Sequence, residues 1–159
     1  HEINKGFLGR LVQTTTEVLG LEISSLCSTT LSRKDLQKGV GPDECYYITN
    51  EELVRGKIKF DFNHDPPPDL AIEIDITSSS LDRLTIYAAL GIQEIWRFDG
   101  ENLFIYCLQY GNYQEQEKSN VLPILSRSVI LNFLIRRGEK GENALLREFR
   151  EWLQNPENR

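Results

Sequence analysis

With 159 residues, 40% of them hydrophobic and 26% charged, the chain has the length and composition of one globular domain and is short for two. Its net charge of −6 excludes the overall basic footprint of a non-specific nucleic-acid binder, leaving local basic groups at Arg33-Lys34, Arg55-Gly56-Lys57-Ile58-Lys59 and Arg136-Arg137. No run nears the ~20 apolar residues of a membrane span, so no membrane role is expected. No secretory signal pattern is visible. The cysteines at 27, 45 and 107 stand singly, without disulfide or zinc spacing, and imply a reducing, cytoplasmic setting.

In chain order, residues 3–19 repeat apolar side chains at helical spacing (Ile3, Phe7, Leu8, Leu11, Val12, Val18), and Gly20 stands where a helix-ending glycine belongs. Residues 21–30 read as one or two strands broken near Ser24-Ser25, and 31–40 as a turn region. After Gly41-Pro42-Asp43 a short strand runs over 44–49. Asn50 is placed to cap a single helical turn at Glu51-Glu52-Leu53. Residues 55–64 suggest a loop with partial strand character at 57–62, in which Lys57, Lys59 and His64 are surface residues.

Pro66-Pro67-Pro68 cannot propagate a helix or donate to a ladder, and delivers the chain stiffly into a strand. There Leu70, Ile72, Ile74 and Ile76 alternate with Asp69, Ala71, Glu73 and Asp75. Aspartate is depleted in strands, so three carboxylates on one face suggest a metal, a general base or a cationic partner. Thr77-Ser78-Ser79-Ser80 reads as the cap of a helix over 81–90 ended by Gly91, with Leu81, Leu84 and Ala88 as its core stripe and Arg83 and Tyr87 together on a different face. Strands over 94–98, 102–109 and 113–117, separated by Asp99-Gly100 and Gly111-Asn112, form an antiparallel meander with Trp96 in the core. Helices follow over 126–137 and 143–154, the second carrying Trp152 against the domain or a second subunit. The expectation is a single α/β domain over 1–159, with a mixed central sheet flanked by helices.

Distances decide which carboxylates cooperate. Asp69 and Glu73 lie about 13 Å apart along a strand, and Glu73 and Asp75 about 6.6 Å. If the strand from 44 runs antiparallel to the strand from 69, with Thr49 opposite Pro67, Asp43 falls opposite Glu73. A hard dication such as Mg²⁺ (Mn²⁺ as substitute) wants oxygen ligands and takes one or two carboxylates, here Asp43 and Glu73, helped by Asp75 or the Ile74 carbonyl. Phosphodiester hydrolysis also wants a nearby cation, and Arg83 is the candidate: it supplies charge and hydrogen bonds but cannot act as a base. Asp75 reads equally as a ligand or as an ion-pair partner of Arg83, Asp69 as a turn or capping residue beside its candidate site role, and Tyr87 as a hydrogen-bond partner of a ligand carboxylate or a packing residue.

Pro42-Asp43, then Glu73-Ile74-Asp75, then a helix with a basic residue resembles the PD-(D/E)XK nuclease superfamily. Pro68-Asp69-Leu70-x-x-Glu73-Ile74, a Ser/Thr-rich cap, and Arg83-x-x-x-Tyr87-Ala88-Ala89-Leu90-Gly91-Ile92-x-Glu94-Ile95-Trp96 resemble, more closely, the bacterial restriction endonuclease family of the Uma-two type. The resemblance spans about residues 41–110 and implies a restriction-endonuclease-like core, magnesium dependence and DNA cleavage. Position by position it makes Asp43 and Glu73 the acidic pair, puts Asp75 in the superfamily's lysine position, and makes Arg83 the displaced basic residue. Two readings stand: a Mg²⁺-dependent DNA endonuclease, for which cutting a duplex makes a homodimer attractive, and a catalytically impaired nuclease-fold module acting through a protein or nucleic-acid partner.

Overall fold

A computed structural model describes residues 1–36, 39–74 and 80–159. Their framework is a six-stranded sheet in the order β1 (Ser24–Ser25), β2 (Glu44–Tyr47), β3 (Leu70–Ile74), β4 (Glu94–Phe98), β5 (Leu103–Gln109) and β6 (Asn112–Gln116). Only β3 and β4 pair in parallel; the other neighbours are antiparallel, so the sheet is mixed as expected. The helices are α1 (Glu2–Leu19), the single turn α2 (Glu51–Val54), α3 (Ser80–Leu90), α4 (Arg127–Ile135) and α5 (Glu142–Gln154). None of the described helices is long and apolar enough to cross a membrane.

Alternation along the strands builds two cores, one on each sheet face. On one face Leu70, Ile72 and Ile74 of β3 join Trp96, Phe98, Leu103 and Ile105 beneath α1, α4 and α5, which supply Phe7, Leu11, Ile130, Phe133, Leu145 and Phe149. On the other, Cys45, Ala71 and Ile95 meet Tyr87 and Leu90 of α3, with Leu31, Val40 and Ile92. The small Ala71 side chain lets α3 approach, and every residue of β3 is buried. Asp69 and Glu73 therefore do not face solvent, and α3 covers Glu73.

α3 is the crossover that parallel pairing requires between β3 and β4. It ends at Gly91 (φ 84°), whose left-handed backbone lets the Gly91 and Ile92 N–H groups close on the Tyr87 carbonyl. Its inward face carries Tyr87 and Leu90, with Leu84 alongside, so the Arg83–Tyr87 row lies on the sheet side of the helix rather than away from it. The expected cap at 77–79 lies outside the described residues.

Several local expectations change. The strand within 21–30 is confined to Ser24–Ser25, the point where a break was expected. Residues 57–62 form no strand; Phe60 and Phe62 instead stack in series on Tyr47, with centroids 5.6 and 6.3 Å apart. Asn50 precedes α2 but makes no side-chain cap bond, because its Nδ2 donates to Asp69 Oδ1 at 3.0 Å. The second meander turn is Tyr110-Gly111, both with positive φ (52° and 80°), so Asn112 belongs to β6 and pairs with Gln109.

Candidate functional site

The β2–β3 register sets Glu44 opposite Ile72 and Tyr46 opposite Leu70; one step beyond Glu44, Asp43 faces Glu73. The Asp43 N–H donates to the Ile72 carbonyl at 3.0 Å, one residue out of the ladder's register, and so holds Asp43 at the end of β2. Asp43 is half-buried at the mouth of β2. Its Oδ2 accepts the Ile74 N–H at 2.6 Å, and its Oδ1 lies 3.1 Å from His1 Nε2.

Glu73 is 7% exposed on the α3 side of the sheet. Its Oε1 accepts from Arg83 Nε at 3.0 Å, from Arg83 Nη2 at 2.7 Å, and from the Tyr87 hydroxyl. Arg83 Nη2 also donates to the Gly41 carbonyl at 2.6 Å and approaches the Tyr87 hydroxyl at 3.4 Å. One guanidinium thus ties α3 to β3 and to the turn that leads into Asp43. The i, i+4 spacing of Arg83 and Tyr87 is what brings both to a single carboxylate oxygen.

The electrostatics are unbalanced. Burial raises the Glu73 carboxyl above its usual range; the Tyr87 and Arg83 bonds oppose this, the nearby Asp43 charge adds to it, and the net shift is upward. Burial and the Glu73 charge raise the Tyr87 phenol, which therefore stays protonated and serves as a donor. Burial works against the Arg83 charge, yet the pairing with Glu73 outweighs it and holds the guanidinium protonated.

Arg97 of β4 also belongs to this neighbourhood. It pairs with Glu73 in the parallel register, shares its sheet face, and lies 5.5 Å from the Phe104 ring. Its place depends on β4 lying beside β3, a neighbour relation that alternation along either strand does not reveal. Nothing in the sequence points to His1 as a neighbour of Asp43.

Of the residues singled out from sequence, Asp43, Glu73, Arg83 and Tyr87 gather at one end of β3. Asp75 lies outside the described residues. Asp69 is at the other end of the strand, 2% exposed, and its carboxylate serves the fold: Oδ2 accepts the Ile48 and Asn50 N–H groups at 2.6 and 2.9 Å, closing the turn after β2. Lys57 pairs with Asp65 on an exposed loop, and Lys59 is exposed. In each basic cluster an arginine is matched by a nearby carboxylate: Arg33 by Asp35, Arg55 by Glu51, Arg136 by Glu139 and Glu148.

The residues able to hold a divalent metal here are Asp43 and Glu73, two hard oxygen donors on facing strand positions, within the one or two carboxylates that Mg²⁺ takes from proteins. Among the described residues no group of three His, Cys, Asp or Glu side chains is gathered around a metal position. The donor chemistry fits a hard dication. The cation that lies on Glu73 in this structure is Arg83.

Glu94 was not singled out as a site residue, yet it is fully buried on the opposite face. Its Oε2 accepts from Trp96 Nε1 at 2.6 Å and the Ser119 hydroxyl at 2.5 Å, and its Oε1 accepts the Asn120 and Val121 N–H groups at 2.7 and 3.1 Å. This carboxylate clamps the segment after β6 onto β4.

Comparison with known proteins agrees with this architecture. A crystal structure described as "a putative nuclease belonging to DUF820", from Anabaena variabilis, is similar with a TM-score of 0.53 at 15% identity, covering 80% of this chain and 79% of that one. At that identity the likeness speaks for the fold alone. No curated protein matches the chain. The model of the Uma2 family, described as "Putative restriction endonuclease", matches residues 1–135, which includes every residue of the Asp43–Glu73–Arg83–Tyr87 cluster. The chain belongs to the Uma2 family.

Proposed function

We propose that the protein is a nuclease that hydrolyses DNA phosphodiester bonds, using one Mg²⁺ (Mn²⁺ as substitute) held by Asp43 and Glu73. The observation that carries this reading is the meeting of Asp43, bonded to the Ile74 N–H, with Glu73 at one end of β3, beside Arg83 and Arg97, in a member of a restriction endonuclease family. When bound, such an ion lowers the pKa of a coordinated water and stabilises charge on a phosphoryl group. The Ile74 N–H fixes one Asp43 oxygen, and the Tyr87 hydroxyl orients the Glu73 carboxylate through Oε1. Arg83 supplies a planar, permanently charged fork for a phosphate, and Arg97 adds a second positive charge on the same face. Asp75, two residues beyond Glu73, is the third acidic residue of the proposed site.

Nicking and linearisation of plasmid DNA test this, with Mg²⁺, Mn²⁺ or a chelator, alongside D43N and E73Q. The expected result is metal-dependent cleavage that falls at least about 100-fold in each variant while both remain folded, the scale of losing transition-state charge stabilisation. Cleavage that survives both substitutions, or that ignores the chelator, overturns the assignment.

The Arg83–Glu73 pair and the absence of lysine from the cluster among the described residues favour one second reading, a nuclease-fold module that binds a protein or nucleic acid without cutting. It predicts DNA retention that is independent of metal and unchanged in E73Q.

A further inference from the structure

We infer that Arg83 is the resident counter-cation of the acidic centre, that it and a divalent metal compete for Glu73, and that a nucleic-acid phosphate relieves the competition by drawing Arg83 off. This rests on the metal site proposed above and adds a regulatory property to it: metal and nucleic acid bind more tightly together than either does alone.

Three observations carry the inference. The guanidinium approaches Oε1 of Glu73 with two nitrogens, at 3.0 and 2.7 Å, and anchors its Nη2 on the Gly41 carbonyl at 2.6 Å. A dication arriving at this oxygen meets a permanent positive charge at hydrogen-bond distance, so it must displace the arginine or bind against it. The two partners also differ in access: the Arg83 side chain is 36% exposed and the Glu73 side chain 9%. An anion from solvent therefore reaches the arginine before a cation reaches the carboxylate. Finally, Arg83 hangs from α3, whereas Glu73 belongs to a central strand paired on both sides, so the arginine is the partner free to turn. Guanidinium binds phosphate through two parallel N–H···O bonds, an exchange of one oxyanion partner for another. Once Arg83 faces the phosphate, Glu73 is left buried and negative, which favours the metal. By linkage the effect is reciprocal: metal on Glu73 frees Arg83 and tightens the grip on the nucleic acid.

The test is Mn²⁺ binding by the purified chain, read from the paramagnetic resonance signal of free Mn²⁺, with and without a short DNA duplex. This readout does not depend on cleavage. Wild type is expected to bind Mn²⁺ weakly alone and about tenfold more tightly with the duplex, a typical size for such coupling. R83Q is expected to bind Mn²⁺ about tenfold more tightly than wild type without DNA and to gain little when it is added. R83K keeps the charge but loses the fork, and is expected to fall between them; it serves with wild type if R83Q does not fold. An R83Q affinity no tighter than wild type, or a wild-type affinity indifferent to the duplex, overturns the competition while leaving the metal site standing. Absence of Mn²⁺ binding from every variant in both conditions removes the metal site, and the inference with it.

Discussion

Substitution of Glu94 separates structure from chemistry within the family motif. In E94A four N–H and O–H donors lose their acceptor at once, Trp96 Nε1, the Ser119 hydroxyl and the Asn120 and Val121 N–H groups, and the Cys107 thiol loses a weaker bond at 3.6 Å. At about 1 kcal/mol for each bond, with about 1–2 kcal/mol for the cavity, the loss is about 5 kcal/mol. That is a large part of the stability of an ordinary domain and corresponds to a fall in Tm of about 10–20 °C at this chain length. E94Q keeps the volume. Its single carbonyl oxygen can face the two backbone N–H groups, but its amide nitrogen then meets the indole N–H, donor against donor, for a loss of about 2 kcal/mol. Urea unfolding followed by tryptophan fluorescence measures both, since Trp96 is itself a partner. Because Glu94 and Glu73 project from opposite sheet faces, folded E94Q should bind Mn²⁺ as wild type does. The reasoning fails if E94Q lies within about 0.5 kcal/mol of wild type, the level of an ordinary surface substitution.

Glu73 should behave in the opposite way. Its folded pKa is raised above the unfolded value, so its contribution to stability is fully present below the unfolded pKa and is lost as pH rises through the folded one. Relative to E73Q, metal-free wild type should therefore lose ground in denaturant melts as pH rises out of the ordinary carboxylate range; a gain over that rise contradicts the assignment. D69A removes the acceptor of two backbone N–H groups and of the Asn50 amide, and should cost about 2–4 kcal/mol in the same melts. Mn²⁺ affinity measured on folded D69A should not change, whereas a metal ligand at 69 would lose it.

The β3–α3–β4 unit was legible because its signals are local. Three prolines and the alternation of Leu70, Ile72 and Ile74 mark a strand, and Gly91 marks the end of the helix that follows. The β2–β3 register was legible as one hypothesis among those the intervening loop permits, chosen by matching the lengths of the two strands. Burial of Asp69 and Glu73 was not. Alternation looks the same on a half-exposed strand as on one whose second face is covered by the next helix, and here Ala71 and Tyr87 decide the matter together from sixteen residues apart. Glu94 was seen within the motif but given no role, for a similar reason. A glutamate two residues before a core tryptophan reads as an ordinary strand position, and two of its partners are backbone N–H groups of residues 120 and 121, which no side-chain pattern announces. Asn50 shows local chemistry losing to distant chemistry: a competent helix cap gave its amide to Asp69 instead.

The motif divides by sheet face, and that division separates membership of the family from activity. Along β3 and β4 successive residues project to opposite sides, so one continuous stretch supplies two surfaces. Leu70, Ile72, Glu94 and Trp96 enter the core under α1, α4 and α5, and they hold the two parallel strands in place. Glu73 and Arg97 enter the other side, where Arg83 and Tyr87 come down from the crossover helix. Substitutions of Glu94 or Trp96 on the first surface are expected to cost stability, whereas substitutions of Arg83 or Arg97 on the second are expected chiefly to alter the charge beside Glu73. Arg83 belongs to the second surface, 36% exposed and bonded to a strand carboxylate rather than packed in either core. On the competition proposed above, the outcome at this centre turns on the cation at Glu73 and on whether an incoming phosphate takes Arg83 away from it.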